Sequence, residues 1–108
     1  MLILFDQATP VPIRSHLHGH AVRTAAQEGW DKLGNGDLLV AAEEAGFDIL
    51  LTTDKNMRHQ QNLAGRKIAI VVLGRQQWPK LQPHVQRVVE AVSRAMPGSY
   101  SEVFIPYE

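Results

Sequence analysis

One stretch, Gly36–Met57, constrains the fold of this chain more than any other. It sets a short amphipathic helix against a buried strand across a glycine. Leu38, Ala41, Ala42 and Ala45 recur at helical spacing, with Glu43 and Glu44 on the opposite face. Gly46 stands where a helix end favours a residue free to adopt positive φ. Phe47–Thr53 is then almost wholly apolar or β-branched, broken at Asp48, and stops at Asp54. A short apolar run directly after a helix predicts a central strand of a parallel sheet.

Chain direction gives the geometry. A helix that packs on a sheet and feeds the next strand runs antiparallel to that strand. About 10 helical residues at ~1.5 Å each climb a distance comparable to about seven strand residues at ~3.3 Å each. Asp37, opening the helix, and Asp54, closing the strand, are therefore expected at one edge of the sheet.

The rest of the chain repeats this alternation. Met1–Phe5 is a continuous apolar run ending in Asp6, which predicts a first, central strand with a carboxylate at its carboxyl end. A loop follows, then a short helix over Ile13–Leu17 with Pro12 in its first turn. Ala21–Ala25 fits an edge strand, and Gln27–Asn35 a loop or broken helix in which Trp30 serves as a packed lid over the core edge. Lys55–Leu63 reads as a polar helix or turn, and Lys67–Leu73 as another buried strand. Pro79–Met96 carries an apolar stripe of Leu81, Val85, Val88, Val89, Val92 and Met96, and Pro97-Gly98 stops that helix. Tyr100–Ile105 alternates as a terminal edge strand. Strands alternating with helices predict an α/β three-layer sandwich, with a mostly parallel sheet and helices on both faces.

A chain of 108 residues is long enough for one domain with its own core, taken as residues 1–108. Net charge is zero, so bulk attraction to nucleic acid is not supported and such binding needs a local basic patch. The absence of cysteine removes thiolate metal sites and disulfides. MLILFD is too short for a signal segment and lacks a basic flank, and no apolar run approaches a membrane span. The expectation is a cytoplasmic protein with no membrane partner.

Asp6, Asp37 and Asp54 are expected to converge at the carboxyl edge of the sheet, where ligand crevices of open α/β sheets lie. Three carboxylates together repel unless a cation or solvent offsets them. Hard oxygen donors favour Mg²⁺ or Mn²⁺. Such an ion suits hydrolysis of a phosphodiester. Lys55, Arg58 and Arg75 are candidates for phosphate contacts. Thr52 and Thr53 could orient a carboxylate, and His59 could contact phosphate or exchange a proton. Each aspartate taken singly also suits a helix cap or a loop turn. His16, His18 and His20 resemble a metal tract, but alternate spacing on a short helix points them apart, which favours a solvated or partly packed role.

These residues resemble the PIN-domain family, in which an Asp opens a helix of small apolar residues, a glycine follows, and a strand ends in Thr-x-Asp. Here those are Asp37, Leu38–Ala45, Gly46 and Thr52-Thr53-Asp54, with Ile3-Leu4-Phe5-Asp6 matching the family's first strand. The likeness covers nearly the whole chain and is nearest to the short PIN-like proteins of mostly unassigned function. It implies a metal-dependent ribonuclease acting on RNA, often the toxin paired with an antitoxin protein, with Asp6, Asp37 and Asp54 as metal ligands. The chain departs from the pattern where the family supplies a helix Glu, with only Glu28 and Asp31 nearby, and at Asn56, where a second carboxylate often stands. Those departures motivate an alternative, a non-catalytic PIN-like module that binds RNA or protein. A third reading is a receiver-like phosphoacceptor domain, because Asp6 and Asp54 both end strands. The terminal strand and the last helix's apolar stripe also leave a homodimer open.

Overall fold

The computed structural model of the chain describes residues 1–55 and 65–106. Among these, five strands form one all-parallel sheet: β1 (Leu2–Phe5), β2 (Ala21–Thr24), β3 (Ile49–Thr52), β4 (Ala69–Leu73) and β5 (Tyr100–Val103). Their spatial order is β2-β1-β3-β4-β5. Ile3 pairs with Val22 on one side and Ile49 on the other, and Ile49 pairs with Ala69.

The apolar runs form central strands because both of their faces are covered. Ile3, Phe5, Ile49, Leu51, Ala69, Val71 and Leu73 point to one face. There they meet Ile13 and Leu17 from the first crossover, and Leu81, Val88 and Val92 from the last. The intervening residues Leu4, Leu50, Ile70 and Val72 point to the other face. They pack on Leu38, Leu39 and Ala42 of helix α1 (Asn35–Glu44). Strict alternation between two apolar layers is what a strand buried on both sides requires. The result is the expected α/β sandwich of helices, sheet and helices.

Several local expectations shift. The short helix of the first crossover is a 3-10 helix over Val11–His16, beginning two residues before the expected Ile13–Leu17. Helix α1 starts at Asn35, with Gly34 as its N-cap, so Asp37 lies inside the first turn and does not open it. The long helix expected over Pro79–Met96 is divided into α2 (Trp78–Leu81), a 3-10 turn over Gln82–His84, and α3 (Val85–Arg94). Pro83 explains the division: it has no N–H to offer the carbonyl four residues back, and its ring crowds that carbonyl. Gly46 adopts φ of 87° just past the end of α1, the conformation that a glycine supplies at least cost. The expected Lys55–Leu63 helix or turn falls almost entirely outside the described residues.

No helix among the described residues is long and apolar enough to cross a membrane.

Candidate functional site

The strand order fixes where a crevice should form. The chain passes from β1 outward to β2 on one side, then returns across β1 to β3 on the other. In doubly wound sheets with this order, ligands bind beyond the carboxyl ends of the strands at the β1/β3 switch. A cavity of about 340 Å³ lies there. Asp6, Gln7 and Ala8 line it from the end of β1, Thr53 and Asp54 from the end of β3, and Asn35 and Leu38 from the start of α1. Ala25, Trp30, Asp31 and Leu33, from the β2–α1 loop, close one side, and Gln76 reaches it from beyond β4.

Asp6 is held by two hydroxyls. Thr9 Oγ1 donates to its Oδ1 at 2.6 Å, sharing that proton with the Leu51 carbonyl at 2.8 Å. Thr52 Oγ1 donates to Asp6 Oδ2. Thr9 and Thr52 are the buried polar side chains of the described core, at 4% and 0% exposure. A buried hydroxyl without a partner is costly; Thr52 donates its proton to the Asp6 carboxylate, and Thr9 divides its own between that carboxylate and the Leu51 carbonyl. The backbone reinforces the arrangement, since the Asp6 N–H donates to the Leu51 carbonyl at 3.1 Å.

Asp54 is fixed from the start of α1. The Asn35 side-chain amide donates to its Oδ2. The Asp54 N–H donates to Thr52 Oγ1 at 3.1 Å. Thr52 therefore accepts from the Asp54 backbone while donating to the Asp6 carboxylate, and so couples the two acidic positions through one buried oxygen.

Asp37 stands apart from this pair. It is exposed on the first turn of α1 and is not among the residues lining the cavity. At about 100° per residue, Asn35 and Leu38 share a face only some 60° wide, whereas Asp37 lies roughly 100° beyond Leu38. The early start of α1 thus places an amide at the carboxylate's expected position. Among the described residues, no set of three or more His, Asp or Glu side chains is arranged to share an ion.

The cationic candidates occupy a neighbouring hollow. Lys55 and Arg75, with Gly74 and Gln77, line a second cavity of about 270 Å³ that shares Thr53 and Gln76 with the first. Acidic and basic hollows thus lie side by side along the carboxyl edge. Arg58 and His59 fall outside the described residues. The three tract histidines have separate surroundings: His16 packs on Trp78 with ring centroids 5.8 Å apart, His18 is exposed, and His20 Nδ1 lies 3.2 Å from the N-terminal nitrogen. Trp30 is half-buried against Phe47, with centroids 5.9 Å apart and planes at 69°, so it both covers core and walls the cavity.

Sequence reasoning missed Thr9 and the pairing of Asn35 with Asp54. Thr9 belongs to no motif, and its burial depends on Leu51, 42 positions away. Asn35 registered as the end of the Gln27–Asn35 loop.

Fold and site define a class: a doubly wound α/β domain with two carboxylates at its topological switch. No protein-family model, curated protein or solved structure matches the chain.

Proposed function

We propose that the chain is a divalent-metal-dependent nuclease of PIN-like type that acts on RNA in the cytoplasm, with Asp6 and Asp54 as its principal ligands. The observation that supports this most is the pair itself: two carboxylates from adjacent strands, each oriented by neutral donors, at the mouth of one open cavity. The donor set fits Mg²⁺ or Mn²⁺. Both ions accept carboxylate oxygen, keep several waters, and need only one or two protein carboxylates when substrate phosphate completes the shell. A cavity of this size has room for an ion with part of its hydration shell. When bound, the ion supplies a water of lowered pKa and offsets phosphate charge.

The chain's own residues do the rest. Thr9 and Thr52 hold the two oxygens of the Asp6 carboxylate in place at the cavity lining. Asn35 holds Oδ2 of Asp54 there. Lys55 and Arg75, one hollow away, suit the flanking phosphates of a strand whose reacting phosphate lies over the acidic pair. Asp37, exposed on α1, has an accessory electrostatic role in this reading.

The test is cleavage of labelled single-stranded RNA with Mn²⁺ or Mg²⁺. Activity that disappears in Asp6→Asn and in Asp54→Asn, with unchanged circular dichroism, supports the assignment. Metal-independent cleavage removes the metal assignment, and no cleavage under any condition with a folded protein removes the nuclease in favour of a non-catalytic binding module.

The strand order lends support to a second reading, a phosphoacceptor domain in which Asp54 takes a phosphoryl group. Incubation with a small phosphoryl donor, with Asp54→Asn as control, separates the two: stable label on Asp54 favours this reading.

A further inference from the structure

The cavity at the β1/β3 switch has two chemically different walls. One is polar: Asp6, Asn35, Thr53, Asp54 and Gln76. The other, closed by the β2–α1 loop, is largely apolar: Ala25, Trp30 and Leu33. A bare ion site needs only the first. The second wall is also built to stay in place. The Ala25 N–H donates to the Phe5 carbonyl at 2.8 Å, immediately before Asp6, and the Trp30 N–H donates to the Ala25 carbonyl at 2.8 Å. The Leu33 N–H in turn donates to the Trp30 carbonyl at 3.0 Å. Three successive bonds tie the apolar wall to the strand that presents the acidic group.

We infer that this wall is a subsite for one unpaired nucleobase, seated against Trp30 and Leu33 while its own phosphate lies at Asp6 and Asp54. This rests on the nuclease reading and names the substrate form it takes: single-stranded RNA with one base turned into the cavity. A cavity of about 340 Å³ matches the scale of a single nucleotide and not of a duplex. Aromatic and aliphatic surface suits the π-face of any base, so the contact is tolerant of sequence. The exposed amides of Gln7 and Gln76 offer both donors and acceptors to base edges, which a paired base would not present. Asp31, exposed at the same rim, adds an acceptor suited to an exocyclic amine.

The experiment uses the full chain carrying Trp78→Phe, so that Trp30 is the sole tryptophan, titrated with 5′-AMP or with ribose 5-phosphate in Mg²⁺. The expected result is saturable quenching of Trp30 emission by 5′-AMP, with ribose 5-phosphate at least about tenfold weaker, the size of one lost stacking contact. Leu33 is 39% exposed, so Leu33→Ser leaves the core intact and is expected to weaken 5′-AMP several-fold. Equal affinity for the two ligands, or no effect of Leu33→Ser, overturns the inference. The two readings fail separately. Cleavage of RNA with no difference between the ligands keeps the nuclease and removes the base subsite. Quenching by 5′-AMP in a chain that cleaves nothing keeps the subsite and removes the nuclease.

Discussion

The two edges of the sheet use their carboxylates in opposite ways. At the amino edge, Asp48 accepts the Leu2 N–H at 2.8 Å, and Glu43 accepts the Lys67 N–H at 2.7 Å while pairing with Arg66 at 3.1 Å. Those acids satisfy backbone donors at the start of β1 and two residues before β4, which would otherwise go unpaired. At the carboxyl edge, Asp6 and Asp54 accept from the side chains of Thr9, Thr52 and Asn35. The amino-edge acids hold the fold together. The carboxyl-edge acids are themselves held, by residues that leave them facing a cavity. A carboxylate whose neighbours serve it, and not the reverse, is the better candidate for chemistry.

The comparison breaks most visibly if substitutions at the two edges have the same consequences. Asp6→Asn or Asp54→Asn is expected to lower metal-dependent cleavage by at least about a hundredfold, with little change in thermal stability for Asp54→Asn and a loss of about 1–3 kcal/mol for Asp6→Asn, whose amide nitrogen would face a buried hydroxyl donor. A large stability loss with activity retained would put these residues in the amino-edge class. Thr52→Val comes next, because it removes a fully buried hydroxyl serving both acidic positions. Urea denaturation should show a loss of about 1–3 kcal/mol, and Mn²⁺ affinity should fall about tenfold.

Glu43→Gln sharpens the amino-edge half. The Lys67 N–H, and after it the Ile68 N–H and Arg66, lower the Glu43 pKa below its ordinary value of 4.5 against an opposing effect of burial. A depressed carboxyl pKa contributes stability above the unfolded value, lost as pH falls through the folded one. The variant should therefore melt about 2–4 °C lower at pH 7, with the gap closing on acidification and cleavage unaffected. A gap that widens in acid contradicts this. Asp37→Asn should have the smallest effect, changing Mn²⁺ affinity by less than about threefold, as befits a screened charge outside the cavity. Loss of binding in that variant would show that Asp37 completes the site after all.

The sheet was legible in the sequence because a doubly covered strand has an unambiguous signature. Ile3-Leu4-Phe5, Ile49-Leu50-Leu51 and Ile70-Val71-Val72 contain no polar residue, and each became a central strand. Asp6 and Asp54 followed from those strand ends. The start of α1 was less legible, because Gly34 caps it through extended backbone with no side-chain bond. A shift of two residues along a helix turns a side chain through about 200°, enough to separate Asp37 from the cavity and bring Asn35 into it. Thr9 was illegible for a different reason. Its role is a contact between a loop and a strand far along the chain, and no local pattern encodes such a contact.

The central claim is that Asp6 and Asp54 together bind one hydrated divalent ion. Calorimetric titration of the purified chain with Mn²⁺ tests it most directly. The account predicts one ion per chain in the wild type and no measurable heat from that site in either Asp6→Asn or Asp54→Asn. No binding at millimolar Mn²⁺, or binding unchanged in both variants, would contradict it.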